Sequence, residues 1–215
     1  MKRDMEQMTH WVQELRAPLG NLMGQLELHR EEMAPECFGQ LWEDCQNLRE
    51  NVEQVLELVS MRLGDRLPQW GAVRLQDCMD QALKAKRPLG ERMGVFFRCE
   101  YVQEDYKIWT DGGMIREILE QLLHHAVQYS AVGNGVTLGM TVHPEDVSLW
   151  VENQGPEFIY MPQKLKEYFT QEETMSSGMR IEICRCLAGQ LGGALFSESS
   201  MRGGIRMGIR LPAAG

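Results

Sequence analysis

The sequence predicts an α+β chain: an antiparallel helical hairpin followed by a two-layer α/β sandwich. Two observations predict it. From residue 5 to residue 59 apolar residues recur at gaps of three and four, the signature of helices packed along a seam. After residue 72, short β-rich runs alternate with amphipathic helical runs, and that order builds a mixed, largely antiparallel sheet covered by helices. The bulk numbers agree. The 215 residues suffice for one domain or two small ones, and 43% hydrophobic with 25% charged residues is ordinary for a soluble globular protein. A net charge of −9 argues against a nucleic-acid surface, which needs an excess of Lys and Arg.

The first helix carries Met5, Met8, Val12, Leu15, Leu19, Leu22 and Leu26, then His29 and Met33. Met5, Val12, Leu19 and Leu26 take heptad position a; Met8, Leu15 and Leu22 take d. His29 also falls at d and reads as a packed histidine at the bundle end. Gln13 is then b, Glu14 is c, and His10 and Ala17 are f, all facing water. Pro18 removes one backbone donor and should bend the helix. Ala34 and Pro35 end it and open the next, whose seam is Phe38, Leu41, Cys45, Leu48, Val52, Val55 and Val59. Residues 1–64 thus form an αα-hairpin with more apolar seam than it buries alone. Two copies would close a four-helix bundle, so the expectation is a homodimer.

Residues 65–71, with Pro68 and Gly71, read as a linker. Ala72–Leu75 is a short strand and Asp77–Ala85 a helix. Val95–Val102 and Lys107–Trp109 are strands. Gly112–Tyr129 is a long helix capped by Asp111, its buried face Ile115, Ile118, Leu119, Leu122 and Ala126. Gly135–Val142 and Val147–Glu152 alternate apolar and polar around a turn at His143–Asp146. Met179–Leu191 is a helix closed by Gly192 and Gly193. Ala194–Ser197 and Ile205–Leu211 are the last strands, joined by a tight turn at Arg202–Gly204. The cysteines 37, 45, 78, 99, 184 and 186 lack paired CxxC spacing and are expected to be free thiols in a reducing compartment. No apolar run approaches the roughly 20 residues that span a bilayer, and no signal peptide is evident, so the expectation is a cytoplasmic chain.

The string Gln13-Glu14-Leu15-Arg16-Ala17-Pro18-Leu19 resembles the phosphoacceptor segment of sensor histidine kinases. There a histidine is followed by Glu, one residue, Arg or Lys, one residue, Pro and an aliphatic. Every place matches except the first, where Gln13 replaces the histidine; an amide is not a nucleophile at neutral pH. His10, three residues earlier and nearly on the same face, is the weak alternative acceptor. Ala17 stands where the family often has Thr or Asn to orient water for dephosphorylation. Residues 72–215 resemble the ATP-binding domain of the same kinases, the Bergerat fold shared with gyrase and Hsp90. The resemblance implies three nucleotide boxes, and each is altered. In Leu122-Leu123-His124-His125-Ala126-Val127-Gln128-Tyr129-Ser130, His125 replaces the Asn that helps hold magnesium, which prefers hard oxygen ligands, and Gln128 replaces a phosphate-facing Lys. In Asn153-Gln154-Gly155-Pro156-Glu157, Asn153 stands for the adenine-binding Asp, Gly155 is kept and Glu157 replaces a Gly. In Gly178-Met179-Arg180-Ile181-Glu182-Ile183, Gly178 is kept and Arg180 replaces the Gly that lets backbone approach the triphosphate. The lid between Pro156 and Gly178 is short and carries Tyr168-Phe169.

Scaffold features are present while nucleophile, metal ligand and phosphate loop are changed. The expectation is a pseudo-histidine kinase: a non-catalytic two-component signalling protein that homodimerises and docks the receiver domain of a response regulator, or another histidine kinase, through His10, Gln13, Glu14, Arg16 and Ala17. No cofactor and no metal are expected, with ATP and magnesium binding weakened. Three alternatives stand beside it: a phosphotransferase using His10, an active sensor kinase carrying an engineered Gln13, and an ATP-binding sensor without hydrolysis. On this resemblance the chain is cytoplasmic, or is the cytoplasmic part of a longer membrane sensor.

Overall fold

The computed structural model describes residues 2–63, 66–101, 105–153, 175–200 and 204–213, with the side chains of 2–14, 62, 63 and 175–179 outside the description. The chain divides into two compact units, Met1–Arg66 with Thr174–Met179 and Leu67–Glu173 with Arg180–Gly215.

The first unit is the expected hairpin of α1 (Lys2–Leu28) and α2 (Pro35–Leu63). Pro18 sits inside α1, and Pro35 opens α2, where its missing N–H costs nothing. The turn differs from expectation. The first helix stops at Leu28, not Met33, and a 3-10 turn at Arg30–Glu32 follows. His29 is therefore not a packed core histidine. It lies past the helix end, exposed, with Nδ1 2.9 Å from Glu32 Oε2. The seam also splits in two. Leu19, Met23, Cys45, Val52, Leu56 and Val59 are buried, with Leu19, Val52 and Leu56 at the core of the hairpin. Leu15 (51%), Leu22 (49%), Leu41 (40%) and Leu48 (51%) stay exposed. One stripe closes the hairpin, and the d-position leucines of α1, with their counterparts on α2, remain open.

The second unit is the expected α/β sandwich. A five-stranded sheet runs in the order β2 (Phe96–Glu100), β4 (Gly135–Val142), β5 (Asp146–Asn153), β7 (Ile205–Pro212), β6 (Ala194–Ser199); β1 (Gly71–Arg74) and β3 (Lys107–Thr110) pair separately. Among the described strands only β2 against β4 is parallel. Helices α3 (Leu75–Met93) and α4 (Gly112–Gln128), and α5 (Met175–Gln190) from Arg180 onward, belong to the same unit. The predicted face of α4, Ile115, Ile118, Leu119, Leu122 and Ala126, is buried throughout. It packs on the sheet and on α3. Asp111 caps α4, accepting from Met114 N at 3.0 Å.

Two elements run longer than their patterns. The expected helix Asp77–Ala85 is longer at both ends, and α3 runs from Leu75 through Pro88 to Met93. Gly90 fits only without a side chain, since a Cβ would stand 2.6 Å from the Phe97 ring. The helix stops where Gly94 takes φ 65° and Val95 N bonds Gly90 O at 2.8 Å, a Schellman-type ending. Helix α5 begins at Met175 rather than Met179.

The alternation in β4 and β5 implied one wet face, but both strands are buried along most of their length. On the outer face the Trp150 indole lies against Gly139, its register partner, and donates to Thr141 Oγ1 at 3.0 Å. The Arg206 guanidinium stacks 3.9 Å from the same ring and pairs with Glu152 at 2.7 Å. Among the described residues the six cysteines are free thiols. No helix among them is long and apolar enough to cross a membrane.

Glycine contacts give a paired prediction. A Cβ at Gly139 would stand 2.1 Å from Trp150, so Gly139→Ala should cost about 1–3 kcal/mol in chemical denaturation. Gly24 in α1 has nothing within 4 Å, so Gly24→Ala should instead stabilise the hairpin by roughly 0.5–1 kcal/mol through helix propensity.

Candidate functional site

The predicted site residues fall into two groups, one on each unit. On the hairpin, His10, Gln13 and Glu14 lie within α1, and their side chains are outside the described residues. Arg16 and Ala17 are exposed. Ala17 offers no hydrogen-bonding group. Arg16 is engaged: Nε donates to Glu53 Oε1 of α2 at 2.8 Å, and a second guanidinium nitrogen meets Oε2. This bidentate pair holds the Arg16 pKa above its already high ordinary value.

Beside that pair opens a groove of about 470 Å³ between α1 and α2. Leu19, Met23 and Val52 contribute apolar surface, while Glu27, Gln46, Arg49 and Trp42 supply polar groups and one aromatic ring. Gly20 and Gly24, one turn apart on α1, line it with no side chain. Sequence reading missed this groove. Its signal was present in the four-residue spacing of Gly20 and Gly24 within an otherwise regular seam.

On the second unit the boxed residues meet along one flank of α4. Gln121, His125 and Gln128 sit at i, i+4 and i+7, so they line one side of the helix. His125 is buried, and its ring lies 4.6 Å from the Tyr129 ring, tilted by 38°. Asn153, the last residue of β5, is buried and donates from Nδ2 to Tyr129 O at 3.2 Å. First-box and second-box residues are thus joined through Tyr129 at the end of α4. Gln128 is exposed. Gly155, Glu157 and the predicted lid, with Tyr168-Phe169, lie outside the described residues.

The third box differs from expectation. Gly178 was read as part of a turn opening the helix; it lies inside α5. Arg180 is only 6% exposed, and its Nη1 donates to Gln121 Oε1 at 2.9 Å. Gln121 was not singled out from the sequence, although it stands one turn before His125 on the same flank. Next to it, His124 is pushed down to about 3, first by burial, then by the positive charges of Arg180 and Lys86, with His125 and Arg92 adding to the effect. His124 is therefore a neutral imidazole at physiological pH. Among the described residues no three of His, Cys, Asp and Glu gather as a metal site.

The comparisons with known proteins point one way. A sensor protein kinase, GraS of Staphylococcus aureus strain JH1, is 27% identical over 146 residues, which is 65% of this chain and 42% of GraS. The chain therefore spans less than half the length of that curated relative. Full-length ShkA solved with AMPPNP superposes with a TM-score of 0.77 at 19% identity, covering 100% of this chain and 47% of ShkA. Histidine kinase ThkA in complex with response regulator protein TrrA gives 0.68 at 18% identity, covering 97% of this chain and 61% of that one. No protein-family model matches.

The depressed His124 gives a pH prediction. Its folded pKa lies below its unfolded value of about 6.5, so the unfolded state binds more protons in the interval. This group's contribution to stability is present above pH 6.5 and is lost as pH falls toward 3. His124→Gln should lose less stability than the unchanged chain between those limits, read as unfolding free energy against pH.

Proposed function

Starting from a chain whose relatives are sensor histidine kinases and whose fold is that of their dimerisation and ATP-binding units, we propose that it is a non-catalytic two-component signalling protein. It works on the cytoplasmic side, pairs with a second copy through its hairpin, and docks a response-regulator receiver domain without phosphorylating it. The observation that carries this reading is Gln13, a residue with no nucleophile, at the phosphoacceptor place of a helix whose seam is otherwise unbroken.

Three further features support it. Ala17 has no group to orient a water, so the phosphatase step of the family lacks its side chain as well. At the nucleotide boxes, His125 packs on Tyr129, Asn153 bonds the Tyr129 carbonyl and Arg180 bonds Gln121, which leaves these side chains engaged within the protein. ATP and magnesium are on this reading not cofactors of the chain. On the hairpin, the exposed stripe of Leu15, Leu22, Leu41 and Leu48 suits burial against a second copy, because apolar side chains at seven-residue spacing form the seam of a bundle. The groove lined by Gly20 and Gly24 is on a different flank of α1 and suits the ridge of a partner helix. ThkA, the fold neighbour solved with a response regulator, supports a receiver as that partner.

The deciding experiment restores the nucleophile. Gln13→His, incubated with labelled ATP and magnesium, should remain unlabelled. Phosphate on residue 13 would overturn the reading, since it would mean that the ATP-binding unit still donates. The same preparation of the unchanged chain should show no rise in unfolding temperature with ATP and magnesium, where a ligand at 100 times its Kd would add about 2.7 kcal/mol.

Docking and dimerisation separate by mutation. Gly24→Leu places a side chain in the groove at a position where a Cβ meets nothing within 4 Å, and should abolish receiver binding while the chain stays dimeric in sedimentation. Leu15→Glu with Leu48→Glu should yield a folded monomer. A dimer that survives the double change would refute the role of the open stripe.

A further inference from the structure

We propose that the corner of the second unit where α3 turns into β2 is a docking surface for an anionic lipid bilayer: Met93, Phe96 and Val132 enter the interface while Arg87, Arg92 and Arg98 meet the phosphate headgroups. Nothing in it depends on nucleotide or receiver binding.

Three observations carry it. The first is charge. The whole chain carries −9, yet residues 84–98 hold five cations, Lys84, Lys86, Arg87, Arg92 and Arg98, against one carboxylate, Glu91. The neighbouring stretch 129–135 carries no charge at all. Lys86 is engaged, 3.9 Å from Glu120. Arg87, Arg92 and Arg98 are exposed, and none of them forms an ion pair among the described residues.

The second is apolar exposure. Val132 is 82% exposed, Phe96 65% and Met93 42%. Large apolar side chains standing together in water mark a contact surface. The backbone gathers them. Gly133 N donates to Gly94 O at 2.8 Å, and Phe96 N donates to Asn134 O at 3.1 Å. Val132 lies against Gly94, where a Cβ would stand 2.9 Å from its Cγ1. Two turns far apart in sequence thus hold their apolar tips side by side.

The third is arrangement. Phe97 packs on Gly90 of α3, so strand alternation sends Phe96 and Arg98 to the other face of the sheet. Arg87 falls on the face of α3 away from the buried Met79 and Ala82. Cations therefore flank the apolar tips on both sides of the corner, and β2 is an edge strand of the described sheet. A bilayer fits this order. Its interface takes apolar groups beneath the headgroups and cations beside them, and it needs no matching groove. An acidic helix or strand would lie along one flank and leave the other uncovered.

The test mixes the whole chain with vesicles of phosphatidylserine and phosphatidylcholine in equal parts and measures the fraction that sediments. The chain should sediment with them at low salt and stay in solution with phosphatidylcholine alone. Added salt should release it, since the screening length shrinks to about 3 Å at roughly 1 M. R98Q should weaken binding about fivefold, the loss expected of one cation at an anionic surface. F96S should weaken it about tenfold or more, because an inserted ring is lost. K107Q, which removes an exposed cation of β3 outside the corner, should bind as the unchanged chain does. Unfolding temperature checks that each variant is folded; should F96S fail, V132S in the exposed turn carries the apolar arm. No sedimentation with the anionic vesicles overturns the proposal. So does binding that R98Q and the apolar variant leave unchanged, or that K107Q weakens equally. Binding to polyglutamate that R98Q weakens, with none to vesicles, would assign the corner to an acidic protein and overturn the lipid reading.

Discussion

The placement of the second unit's candidate residues depends on the Asp111 carboxylate. One oxygen accepts from Met114 N at 3.0 Å and caps α4; the other accepts from Gln69 N at 2.7 Å. A helix start leaves four amides without partners, and a capping carboxylate both satisfies one and suits the positive end of the helix. Here the same group also ties down the segment leading into β1, next to the pairing of Gly71 with Thr110. Fixing where α4 begins fixes its phase. Ile115, Ile118, Leu119, Leu122 and Ala126 then face the core, and Gln121, His125 and Gln128 must fall along a neighbouring flank. The placement of these residues along α4 is a consequence of a cap set several turns earlier.

The hairpin shows the same economy of placement. A seam with gaps of three and four offers two adjacent stripes, and one protomer buries only one of them. Leu19, Val52 and Leu56 close α1 on α2, whereas Leu15 and Leu22 point elsewhere. Heptad phase alone did not distinguish these stripes, because a and d look alike until a partner helix is placed. The open stripe and the Gly20–Gly24 groove then lie on different sides of α1, so on the proposed reading pairing with a second copy and docking of a receiver need not compete.

The fold was legible where periodicity is strong and caps are explicit. Asp111 announced α4, and Pro35 announced α2. The misses have local physical causes. The helix expected to end at Ala85 runs on to Met93, because sequence cannot show that Gly90 packs beneath Phe97 and that Gly94 supplies the real stop. His29 continued the seam on paper, but the helix ended one residue before it. In the candidate site, the box positions could be located from the resemblance, whereas their partners could not. Gln121 and Tyr129 are unremarkable letters in the sequence; each matters through a hydrogen bond or ring contact made across tens of residues or at a helix end.

A site that gives up its ligand still has to satisfy its own polar groups. A phosphate pocket is built from donors, and without phosphate those donors become buried polar atoms that cost free energy unless another acceptor is found. On the proposed reading, Asn153 and Arg180 answer that demand from within. Asn153 donates from Nδ2 to the Tyr129 carbonyl and Arg180 donates to Gln121, while the His125 ring lies tilted against the Tyr129 ring. Each contact joins α4 to itself or to a neighbouring element, doing what a bound nucleotide would do for cohesion. Reverting one box residue would then remove a structural contact before it restored a binding one, so recovery of phosphoryl transfer would require several simultaneous changes.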